Sequence, residues 1–143
     1  MIIAGDIACP TAALSKQLKS VFENNESIFK GKPIIVNFEG LIGDESLLQA
    51  AVPVLYNHIS VLDTFTTFSS VTACLANNHI LDLTGHFNNS ISLLKQQNLH
   101  VAGAGISIEE AYSPANFVDG DQEYVVFNEC WDFFLVVALV NIF

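Results

Sequence analysis

Arginine is absent from this 143-residue chain. Five lysines are its whole basic complement against fifteen Asp and Glu, a formal net charge of −10. Nucleic-acid binding needs basic side chains to neutralise phosphates, and this balance excludes such a footprint. Attraction to anionic lipid is disfavoured on the same ground. Cysteine is scarce as well. Cys9, Cys74 and Cys130 lie too far apart for a paired zinc motif, and their number is odd. Reduced core thiols in a reducing compartment are the expectation. No apolar run approaches the ~20 residues of a membrane helix, so no membrane span is expected. The opening Met1-Ile2-Ile3-Ala4-Gly5-Asp6 lacks the basic region of a secretory signal, which points to a cytoplasmic chain. Repeats and low-complexity linkers are missing too.

Apolar residues are what the chain has most of: 51%, with eleven Phe. That excludes a disordered chain, and the length fits a single domain. Only 14% of residues are charged, against ~25% in ordinary soluble domains, so either much surface is buried or an apolar face is left unsatisfied.

The apolar pattern alternates between two periods. Met1–Ala4, Ile34–Phe38, Val71–Leu75 and Leu99–Ala102 read as short buried strands. Between them fall helical stretches. The first opens at an N-cap, Thr11, with Leu14, Leu18, Val21 and Phe22 on one face. Ser60–Phe68 carries Val61, Leu62, Phe65 and Phe68 at helical spacing, and Gly85–Gln97 carries Phe87, Ile91 and Leu94. Pro53–Tyr56 reads as extended, and Tyr124–Phe127 as a strand after the turn Asp119-Gly120-Asp121. Strand–helix alternation predicts an α/β fold, a mostly parallel sheet with crossover helices. The last eleven residues, Phe133–Phe143, carry no charge. They read as a core strand or helix whose partners lie elsewhere, or as a non-native end.

In parallel sheets ligands gather at the carboxyl ends of the strands. Three polar clusters sit at three predicted strand ends: Asp6, then Asn37 to Glu39, then Asn78-His79. Carboxylate, amide oxygen and imidazole suit divalent Mn, Fe, Zn or Mg. Each residue also has an ordinary reading. Asp6 is a candidate helix cap and Glu39 a candidate exposed loop acid. Asn77 and Asn78 suit a turn, and His79 suits a satisfied core position. His58, His86 and His100 lie in no such pattern and read as structural. Gly103-Ala104-Gly105 lacks the third glycine of a dinucleotide fingerprint, since Ile108 stands there. Asn25-Glu26-Ser27 and Asn88-Asn89-Ser90 match the glycosylation pattern only as short sequences do by chance.

Gly5-Asp6-Ile7, Asn37-Phe38-Glu39-Gly40 and the block from Ala76 to Gly85, ANNHILDLTG, together with Val101 to Gly105, resemble the CapA family of capsule-synthesis proteins. Those proteins belong to the calcineurin-like metallophosphoesterase superfamily, linked to poly-γ-glutamate capsule or exopolysaccharide synthesis. The resemblance runs from Ile2 to about Pro114. It implies a layered α/β sandwich and a dinuclear, metal-dependent phosphoester hydrolase. Within it, Asp6 resembles the first-strand metal ligand and Glu39 the bridging acid. Asn78 resembles the amide ligand, and His79 both a ligand and the catalytic histidine. Asp82 is placed to orient His79, and Asn37 and Asn77 support the loops. Other capsule-synthesis proteins are the implied partners, and the family's outward-facing members imply an extracellular or membrane-associated face as an alternative location.

Ala8 stands where the superfamily usually has histidine, and no late histidine-rich segment is present. The chain, residues 1–143, therefore reads as the N-terminal half of such a domain, binding divalent metal incompletely by itself. A non-catalytic accessory or binding module, or a fragment without turnover, is the competing reading.

Overall fold

The computed structural model describes residues 1–49, 54–131 and 134–142. In chain order the elements are β1 (Ile2–Ile7), α1 (Ala12–Asn24), α2 (Glu26–Phe29), β2 (Pro33–Phe38), β3 (Leu41–Gly43), β4 (Tyr56–His58) and β5 (Ser70–Cys74). Then come α3 (Phe87–Gln96), β6 (His100–Ala102), α4 (Ile108–Tyr112), β7 (Ala115–Asp119), β8 (Gln122–Trp131) and β9 (Phe134–Ile142). Short 3-10 helices cover Glu45–Gln49, Ile59–Thr67 and Thr84–His86.

Strand β2 is buried along its whole length, as a continuous apolar run predicts for a strand covered on both faces. It is flanked by β1 and β5, with β6 beyond β5, and all four run parallel. Successive side chains point to opposite faces. Ile34, Val36 and Phe38 therefore enter one core with Val61, Phe65, Ile91 and Leu94 from the helical side. Ile35 enters a second core, with Cys74, Ala102, Phe117 and Val126. The parallel sheet is thus the middle layer, with helices on one face and the sheet β7-β8-β9 on the other. This is the α/β class that the alternation predicted, in the layered form that the family resemblance implied.

Helix α1 opens where expected, because the Thr11 hydroxyl accepts the Leu14 N–H at 3.2 Å. Its buried face differs from the expected one. Leu14 and Val21 are exposed, and Ser15, Leu18 and Phe22 turn inward. Ser15 buries without penalty because its hydroxyl bonds to the Thr11 carbonyl at 3.2 Å. Phe22 then closes an edge-to-face cluster with Phe29 and Phe68.

Other departures lie later in the chain. The sheet β7-β8-β9 is antiparallel. The two residues between Asp119 and Gln122 are too short for a crossover, so the strands they join must run in opposite directions. Strand β7 itself was not anticipated. Residues 134–142 of the apolar end pair with β8, from Trp131↔Phe134 to Glu123↔Ile142; residues 133 and 143 lie outside the described residues. So does Pro53 of the expected extended segment, while β4 begins at Tyr56. Cys9 and Cys74 are buried as expected, whereas Cys130 is exposed. Among the described residues no helix is long and apolar enough to cross a membrane.

Candidate functional site

Parallel register sets the first contact. Asp6 of β1 lies beside Asn37 of β2, just past an irregularity that begins at Ile3. Strand β1 runs through Asp6 rather than ending before it, so Asp6 is a strand residue and not the cap of α1. Asn37 shares the face of Ile35 by period 2. Its Nδ2 donates to Asp6 Oδ1 at 2.8 Å and to Glu39 Oε1 at 2.6 Å. One amide nitrogen therefore gathers two carboxylates.

Glu39 is 7% exposed rather than a solvated loop acid. Its second oxygen, Oε2, is buried without a hydrogen-bond partner among the described residues. Burial pushes its carboxyl above the usual carboxylate range, and the nearby Asp6 charge adds to the rise. The bond from Asn37 pulls the other way.

The third strand end joins the same network. Asn77 Nδ2 donates to Asn37 Oδ1 at 3.3 Å and to the Phe38 carbonyl at 2.9 Å. Asn77 Oδ1 accepts the His79 N–H at 3.1 Å. This Asx turn is the local reason that the chain reverses after β5. His79 Nδ1 lies 2.9 Å from Asp82 Oδ2, which also accepts the Leu55 N–H at 3.0 Å.

Of the seven residues singled out in the sequence, six are thereby tied together: Asp6, Asn37, Glu39, Asn77, His79 and Asp82. The seventh, Asn78, is exposed beside them. Asn77, the buried neighbour, makes the structural bonds and leaves Asn78 facing solvent.

Two further residues shape the rim, and nothing local in the sequence marks either. Asn57 is fully buried. Its Nδ2 donates to the Glu39 carbonyl at 2.8 Å and to the Ile7 carbonyl at 3.4 Å, and its Oδ1 accepts the Cys9 N–H at 2.8 Å. It ties the loop after Asp6 to the loop of Glu39. Gly40, at φ 71°, needs the left-handed region, and a Cβ there would overlap the Leu55 carbonyl oxygen. The Glu39 loop sits against the 55–56 backbone because this residue has no side chain.

The rim offers carboxylate, amide and imidazole donors, a set that suits hard or borderline divalent cations. Among the described residues, no group of three or more His, Cys, Asp or Glu side chains comes together as a complete metal cage. The partnerless Glu39 oxygen and the raised carboxyl fit a cation, which would satisfy the one and lower the other.

A family model described as bacterial capsule synthesis protein PGA_cap matches residues 1–133. No curated protein matches the chain.

Proposed function

The chain belongs to the PGA_cap family of bacterial capsule synthesis proteins, and on that footing we propose that its polar rim is a divalent-metal centre of the phosphoesterase kind. Asp6, Glu39, Asn78 and His79 are the residues that would hold the metal. The observation that carries this reading is the single Asn37 nitrogen bonded to both acids, with the second Glu39 oxygen buried and without a partner among the described residues. Two carboxylates held that close repel each other, and a cation between them would relieve the repulsion.

When bound, such a metal pair supplies an activated water and a clamp for a phosphoester oxygen. The protein's own residues do the rest. Asn37 and Asn57 fix the end of β1 and the Glu39 loop, which carry the two acids. Asp82 takes Nδ1 of His79, which leaves Nε2 to ligate through its lone pair or, in the protonated ring, to give a proton to a leaving oxygen. The metal is one of Mn, Fe, Zn or Mg, and the setting is poly-γ-glutamate or exopolysaccharide synthesis.

Calorimetric titration of the chain with Mn²⁺ tests the centre. Saturable heat that is lost in Asp6→Asn and weakened at least tenfold in Asn78→Ala is expected. A flat titration of the wild-type chain would overturn it. The incomplete cage among the described residues favours a second reading, a binding or accessory module without turnover. Metal binding with no hydrolysis of p-nitrophenyl phosphate would select that reading.

A further inference from the structure

Strands β3 and β4 enter their parallel pair side by side. Leu41 lies opposite Tyr56, so Gly40 and Leu55, one residue earlier on each strand, meet where the ladder begins. They approach closely because Gly40 has no side chain. A Cβ there would overlap the carbonyl oxygen and carbon of Leu55. Both overlapped atoms are main chain, so a side chain at position 40 would have to displace the start of β4.

Leu55 has a second attachment. Its N–H donates to Asp82 Oδ2 at 3.0 Å, and the same oxygen lies 2.9 Å from Nδ1 of His79. The main chain of one residue thus touches the neighbour of Glu39 through its carbonyl and the carboxylate behind His79 through its amide. The strand beyond Leu55 is pinned. Tyr56 and Asn57 are buried, and Asn57 Nδ2 donates to the Glu39 carbonyl at 2.8 Å. A displacement at Leu55 therefore falls on its bond to Asp82. His79 itself is held twice: its backbone N–H by Asn77 Oδ1 at 3.1 Å, and its ring by Asp82. Only the ring lies on the path through Leu55.

We propose that Gly40 is a positioning residue for the His79 ring, acting through the Leu55 main chain and Asp82. Glu39 and the imidazole are thereby set as one unit across two loops distant in the chain. The use of such a link rests on the metal-centre reading, since an acid and a histidine that serve one centre must keep their separation to within about 0.5 Å. The contacts themselves involve no metal.

Nitrogen-15 NMR of the neutral His79 ring, on the metal-free chain, tests the link. Wild type should carry the ring hydrogen on Nδ1, because a carboxylate only accepts. In Gly40→Ala the ring signals should move toward a mixture of tautomers. Gly31→Ala is the matched control. Gly31 has φ 69° against 71° at Gly40, so the left-handed strain is the same. A Cβ at Gly31 meets nothing within 4 Å, and the residue precedes the opposite end of β2 from Asn37. Its ring signals should match wild type. An unmoved ring in Gly40→Ala, or equal movement in both variants, overturns the proposal. Asp82→Ala reads the link from its other end and decides the matter if Gly40→Ala does not fold. There the backbone amide signal of Gly40 should shift while that of Gly31 stays, and an unmoved Gly40 signal overturns the proposal. Calorimetry with Mn²⁺ on the same proteins separates the two readings. A flat wild-type titration removes the metal centre and leaves the link, whereas an unmoved ring beside full Mn²⁺ binding removes the link and leaves the centre.

Discussion

Asp82 holds His79 through the same oxygen that anchors Leu55: Oδ2 lies 2.9 Å from the ring Nδ1 and 3.0 Å from the Leu55 backbone nitrogen. A carboxylate only accepts, so Nδ1 must carry the hydrogen in the neutral ring. The imidazole and the 55–56 segment are therefore set by one acid, three residues from the histidine it orients.

The first prediction concerns that tautomer. In nitrogen-15 spectra of the neutral ring, His79 should carry its hydrogen on Nδ1. In Asp82→Ala the signals should move toward a mixture of tautomers, and stability should fall by about 1–3 kcal/mol as the Leu55 N–H loses its partner. An unchanged Nδ1–H signal in the variant would show that something other than Asp82 fixes the ring.

Asn57 supports a second prediction. It satisfies three backbone groups from a fully buried position. Asn57→Leu fills similar volume and leaves those groups unpaired, so a loss of about 2–4 kcal/mol in urea unfolding is expected. Asn78→Ala, at an exposed position, should stay within about 0.5 kcal/mol of wild type. Equal effects at the two sites would contradict the clamp.

The cysteines give a third, with a pH sign. Cys74 is fully buried, and burial pushes its thiol from its ordinary value of 9.0 up to about 11. The unfolded chain loses this proton first. Stability from the group is therefore whole below about 9 and drains away as pH climbs toward about 11, by an amount on the order of 2–3 kcal/mol. Urea melts of wild type and Cys74→Ala should converge across that window. At neutral pH iodoacetamide should label the exposed Cys130 alone, with Cys9 and Cys74 reacting only after unfolding.

Much of the middle layer was legible in the sequence. The run from Ile34 to Phe38 is apolar without interruption, and only a strand covered on both faces buries such a run. Thr11 announced the start of α1 because a hydroxyl before an apolar period has one favourable use there. Less legible was which face of α1 turns inward. Leu14 and Val21 satisfy the helical period, but Ser15 takes the buried position by bonding to its own helix. The Asp119–Asp121 turn was visible, and the antiparallel sheet it builds was not drawn from it.

For the candidate site, the three polar clusters and their order could be read directly. Asn57 and Asn128 could not. Each bonds a group far off in the chain, 48 residues away at Cys9 in one case and 52 at Ala76 in the other. A buried asparagine is told from a loop asparagine only by what folds over it.

By itself, then, the sequence determined the four strands of the parallel sheet, the polar clusters at their ends and the acidic, arginine-free composition, because these follow from local period and residue content. Only the tertiary structure decided that Asn37 would bind two acids with one nitrogen, that Asn77 rather than Asn78 would turn inward, and that Asn128 would be buried against Ala76. Those outcomes depend on register between strands distant in the chain. Shifting a strand by one residue turns every side chain to the opposite face, and only the packed core fixes that shift.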